Sequence, residues 1–88
     1  MSLATGDNPK AGQVTATTTA ANLGSQACSS VLVQNDPGST PNVLVGDSSN
    51  QYVVLQPGQS VTIPCGNTNQ VYVKSASSTA TVNFLSVN

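Results

Sequence analysis

The residues with the most chemistry to offer are three aspartates, Asp7, Asp36 and Asp47, and two cysteines, Cys28 and Cys65. They have little company: the only bases are Lys10 and Lys74, and the chain has no Glu, Arg or His. General acid/base catalysis draws on an imidazole, a carboxylate pair or a lysine held at a tuned pKa, and no such grouping is apparent. Each aspartate sits in turn-forming company, in GDNP, NDPG and GDSS. There its side chain is expected to accept backbone N–H bonds in an Asx-turn. A Ca²⁺ site built on Asp36 and Asp47 is the rival reading, but their spacing matches no EF-hand loop, and no metal is assigned. The many serines lack a base to take their proton, and neither G-x-S-x-G nor S-x-x-K occurs. No catalytic residue and no cofactor are expected, and the chain is read as not an enzyme.

Two thiols without histidine are too few for a zinc site, which leaves a disulfide, a reactive thiol or two buried small hydrophobes. Cys65 shares the parity of Val61 and Ile63, whereas Cys28 has the parity opposite to Val31 and Val33. That argues mildly against pairing, although parity means little if Cys28 precedes the strand proper; together with the missing signal peptide, it favours reduced, largely buried thiols at Cys28 and Cys65.

These groups must be carried by a chain of 88 residues, room for one domain with little stability to spare. Charged residues are only 6% of it, against roughly 25% in an average soluble domain, so Ser, Thr, Asn and Gln must hydrate the surface. Two scattered lysines cannot supply a phosphate-binding footprint, which excludes nucleic acid as a partner. Residues 1–10 hold no apolar core of signal-peptide length, and no segment approaches a membrane span, so no membrane partner is expected. The start is read as a flexible segment, residues 1–11, with residues 1–3 a cloning remnant. Residues 12–88 are read as a single β-sandwich domain.

Helix formers are scarce and Val, Thr, Ser and Asn dominate, which predicts an all-β fold. Seven short strands are expected at 13–19, 30–34, 42–46, 51–55, 60–65, 70–74 and 80–87, separated by Gly-, Pro- and Asn-rich turns. Gln56-Pro57-Gly58-Gln59 has the signature of a type II turn. Six to eight strands at this spacing predict a small antiparallel β-sandwich or jelly-roll-like barrel.

A period of two places Val31 and Val33, Val43 and Val45, Val53 and Leu55, Val61 and Ile63, and Val71 and Val73 on core-facing sides. In the last strand Val82 and Phe84 have one parity and Leu85 and Val87 the other, which leaves its face open. Leu32, Leu44, Val54 and Tyr72 fall on the solvent parity. They are either singly scattered apolar residues or a candidate oligomer interface. Without tryptophan, a glycan platform would have to rest on Tyr52 and Tyr72.

The run VTATTTAANLGSQACSSVLVQND, the strand end NVLVGDSSN, the hairpin LQPGQSVTIP and the late QVYVKS resemble a family of small structural proteins of tailed-bacteriophage virions. The resemblance spans about residues 13–87. It implies a non-enzymatic β-sandwich of a phage or prophage, of capsid-decoration or tail-appendage type. Such a protein is made in the host cytoplasm and carried in the virion. The expected partners are further copies of the chain, with a trimer favoured, and other virion proteins. A cell-surface glycan is the alternative partner.

Overall fold

Among the described residues eight strands cross between two sheets, with a single pair of consecutive strands kept in one sheet. A computed structural model describes residues 9–88. Its strands are β1 (Lys10–Ala16), β2 (Ala21–Asn22), β3 (Ser30–Asn35), β4 (Val43–Gly46), β5 (Gln51–Leu55), β6 (Ser60–Pro64), β7 (Tyr72–Ser75) and β8 (Ala80–Val87). A short 3₁₀ turn, Thr68–Gln70, lies between β6 and β7. One sheet has the order β1-β8-β3-β6 and the other β2-β7-β4-β5, with every pairing antiparallel. This is the strand order of a jelly roll, so the expected all-β sandwich is what the chain forms.

The core is thin and built mainly of valine. Val31, Val33 and Val82 from one sheet meet Val43, Val45 and Val73 from the other, with Ala16, Leu23, Leu55, Ala80 and Val71, just before β7, completing the seam. Burying each valine contributes roughly 1.5–2 kcal/mol, and β-branching stiffens the strands that carry it. The open parity of the last strand is settled here: Ala80 and Val82 point inward, while Leu85 and Val87 are exposed. Pairing decides it, because β8 is wedged between β1 and β3, and its Val82 lies opposite Val14 and Asn35.

Three expectations need correcting. The first strand starts at Lys10 and ends at Ala16, not 13–19. Lys10 and Ala11 pair with Ser86 and Leu85 of the long β8, so the ordered domain begins before residue 12. Beyond Ala16 the chain bends, with the Thr17 hydroxyl accepting from the Thr19 N–H at 3.2 Å. The remainder of the proposed flexible start, residues 1–8, lies outside the described residues, as does Asp7.

The second correction concerns the PGQ segment. Gly58 has φ +88° and the Gln59 N–H donates to the Gln56 carbonyl at 2.9 Å, the type II geometry expected. The arms do not form a hairpin, however: β5 pairs with β4 and β6 with β3, so the turn carries the chain from one sheet to the other. Among the described residues, only β4 and β5 are consecutive strands joined within a sheet. Their link needs Gly46, where a Cβ would run into the backbone of Asn50 and Gln51.

The third is Val53, placed with Leu55 in the core. Leu55 is buried, but Val53 is 49% exposed. It has the inward parity, opposite Val45, yet β5 is an edge strand and nothing closes over it.

Candidate functional site

The aspartates serve the turns. The Asp47 carboxylate accepts the N–H groups of Asn50 at 2.7 Å and Ser49 at 2.9 Å, which closes the β4–β5 link. These two bonds, that from Asn50 first, hold its pKa below the ordinary 3.8. Asp36 accepts from the Asn83 amide at 2.9 Å and from the Gly38 N–H at 2.8 Å. They lower its pKa in the same way, with the Asn83 bond the larger cause. Asp36 and Asp47 lie at opposite ends of the sandwich, since one follows β3 and the other follows β4. Among the described residues no group of three or more His, Cys, Asp or Glu side chains is placed to hold a metal.

The cysteines come together, which strand parity had argued against. Cys28 precedes β3 and Cys65 follows β6, outside the regular strands, so parity does not govern them. Their Sγ atoms are 3.6 Å apart and both are free thiols.

The tyrosines do not sit on neighbouring strands. Tyr52 is on β5 and Tyr72 on β7, with β4 between them. The Tyr52 ring is 80% exposed and its hydroxyl donates to Asn50 Oδ1 at 2.8 Å, while Tyr72 is half-buried.

The four solvent-parity residues fall on two opposite outer faces. On the β1-β8-β3-β6 sheet, Leu32 lies directly across from Leu85, and the two are 38% and 39% exposed. Ala11 extends this row on β1. Beside it runs a ladder of amides across three strands. Gln13 Nε2 donates to Asn83 Oδ1 at 2.8 Å, and Asn83 Nδ2 donates to Gln34 Oε1 at 3.1 Å and to Asp36 Oδ1. Between row and ladder is a hollow of about 220 Å³ lined by Leu32, Gln34, Ser60, Asn83, Phe84 and Leu85.

On the β2-β7-β4-β5 sheet, Leu44 faces Val54 on one side and Lys74 on the other. Val54 is 49% exposed. Tyr72 belongs to this face, two register positions from Lys74, opposite Gly46. Each outer face thus carries an apolar cross-strand pair and a charged group, Lys74 directly across from Leu44 on the second and Asp36 past the Gln34–Asn83 rung from Leu32 and Leu85 on the first.

Leu32, Leu44 and Val54 were legible from strand parity, whereas Leu85 and the amide ladder were not. Their signal is the pairing of β3 with β8, strands separated by most of the chain. Asn35, to which the sequence assigned no role, is a further such residue. Asn35 is fully buried, and its Nδ2 donates to the carbonyls of Pro41 at 3.0 Å and Leu55 at 2.9 Å. The parity shared with Val31 and Val33 was the available clue.

A further apolar feature is an open cleft of about 400 Å³ where the edge strands β5 and β6 part. Val45, Val53, Val61, Ile63, Cys65 and Val71 line it.

No family model matches the sequence. No curated protein matches it either. Among solved structures, the chain is similar to one described as "Bacillus endospore appendages form a novel family of disulfide-linked pili". The similarity has a TM-score of 0.55 at 16% identity and covers 92% of this chain and 86% of the other. At that identity the likeness is one of fold.

Proposed function

We propose that this chain is a non-enzymatic structural subunit that self-assembles by stacking the β3/β8 outer face of one copy on the β4/β5 outer face of the next. The observation that carries this reading is the matched pair of faces. Leu32 and Leu85, with Asp36 farther along the same face, complement Leu44 and Val54 with Lys74 in hydrophobicity and in sign of charge. Apolar pairs of this kind gain from being covered, and a nearby opposite charge selects one face over the other.

Joining two different faces is a heterologous contact, which propagates unless a rotation closes it. Faces on opposite sides of one sandwich favour an open array over the trimer that the sequence resemblance implies. The fold likeness to an endospore appendage supports an assembling role, and the motif resemblance is what favours a phage or prophage particle, as a capsid decoration or tail appendage.

The test uses the full chain and two variants, Leu32→Asp and Leu44→Asp, followed by light scattering and electron microscopy. The parent is expected to form assemblies larger than three subunits as concentration rises. Each variant alone is expected to remain monomeric. Mixing the two restores a one-to-one dimer, because each keeps the face the other has lost. A single variant that dimerises by itself would mean like faces pair, and a parent that stays monomeric would remove the proposal.

One observation favours a second reading. The exposed ring of Tyr52 offers a stacking surface for a sugar, although Tyr72 is not on an adjacent strand. Glycan-array binding lost in Tyr52→Ala but kept in Leu44→Asp is the outcome that would support it.

A further inference from the structure

The two thiols occupy a defined place in the β3–β6 ladder. Just before β3 the Cys28 N–H donates to the Gly66 carbonyl at 3.1 Å, and the Cys65 N–H donates to the Ser29 carbonyl at 3.2 Å. A bridge between Ala27 and Asn67 continues the pairing past the cysteines. The two backbones are therefore held together on both sides of the thiols, and the Sγ atoms rest 3.6 Å apart without a covalent bond. The Cys28 S–H has a second acceptor in the Cys65 carbonyl at 3.3 Å.

The access of the two differs. Cys28 is buried, whereas Cys65 is partly exposed and lines the open cleft. We propose that Cys28 and Cys65 form an intramolecular disulfide site, in which Cys65 meets the oxidant and Cys28 resolves the product.

With a small-molecule disulfide RSSR as oxidant, the Cys65 thiolate attacks one of its sulfurs. A mixed disulfide forms and RS⁻ leaves. The Cys28 thiolate then attacks Cys65 Sγ, the mixed S–S bond breaks and a second RS⁻ leaves. The two protons from the thiols end on the two RSH molecules, and the two electrons lost by the cysteines reduce the oxidant. Only the thiolate attacks. Burial, and then the bond and charge of Cys28, push the Cys65 thiol above its ordinary 9.0, so the reaction quickens as the solution is made alkaline.

The cross-link would tie edge strand β6 to central strand β3 at one rim of the cleft. It closes a loop from residue 28 to residue 65 and restricts the unfolded chain more than the folded one. For a domain of this size that corresponds to a rise in melting temperature of roughly 10–20 °C.

The experiment treats the full chain with oxidised glutathione, then counts thiols by alkylation and records intact mass, non-reducing electrophoresis and thermal unfolding. The expected result is a monomeric chain that has lost two hydrogens, has no alkylatable thiol and melts at the higher temperature, reversed by dithiothreitol. In Cys28→Ser, Cys65 is expected to stop at the mixed disulfide with glutathione. Two thiols that still alkylate in the treated parent would overturn the proposal. So would a product linked between chains, or a cross-linked monomer that melts no higher than the reduced one. All these readouts can be taken on a monomer, so they do not depend on whether the outer faces assemble.

Discussion

The two ends of the sandwich are both tied across the sheets by buried polar side chains, yet they are tied differently. At the end where β3 stops, Asn35 supplies the buried bonds, while the Ser39 hydroxyl ties the rim of the β3–β4 crossing to Thr81. The Asn35 amide holds the carbonyls of Pro41 and Leu55, its N–H donates to Gln59 and its carbonyl accepts from Gly58. One buried residue thereby secures both the β3–β4 and the β5–β6 crossings. At the other end the task is shared. The Thr68 hydroxyl donates to the Gly24 carbonyl at 2.6 Å, and Asn67 Oδ1 accepts from Gln26 and Asn69 while Gln70 completes a capping box. Beside them stand the two cysteines. A crossing secured by one residue is vulnerable at one point, whereas one secured by several degrades gradually.

The largest effect should therefore come from Asn35→Ala, which takes the amide donor from two buried carbonyls and is expected to cost about 3 kcal/mol in urea unfolding. That is a substantial part of the roughly 5–15 kcal/mol a small domain possesses. Asn35→Asp should be worse still, because an unpaired carboxylate would face those carbonyls. If Asn35→Ala is no more disruptive than a surface change, the contrast between the ends fails. At the far end, Thr68→Val keeps the shape and removes one bond, with an expected loss of about 1–2 kcal/mol. A loss equal to that of Asn35→Ala would show the two ends to be equally concentrated.

The smallest effect concerns pH. Asp36 and Asp47 each have a folded pKa below the ordinary 3.8, so each contributes stability above that value. That contribution is lost as pH falls through the lowered folded pKa. Unfolding measured from neutral pH downward should therefore show a decline in stability below 3.8 that is reduced in Asp36→Asn and in Asp47→Asn. A decline of the same size in the double variant would assign the acid sensitivity elsewhere.

Much of this architecture was legible one strand at a time. β5 and β8 coincide with the runs expected from Val-rich alternation, and Asp47 closes its turn as the GDSS setting suggested. β2 was not legible, because two residues carry no periodicity and the strand exists only through its pairing with β7. Nor was the meeting of Cys28 with Cys65, since alternation has meaning only inside a strand and both residues lie just beyond one.

By itself, the sequence determined which segments extend, where they turn, which side chains share a face, and that no His, Glu or Arg is present to do chemistry. The tertiary structure alone decided which strands lie together. It brought Leu85 to Leu32, Gln13 to Asn83, and the two thiols to one another. The reason is physical: the period of a strand follows from local backbone geometry, whereas its neighbours are chosen by burying one thin apolar seam between strands distant in the chain.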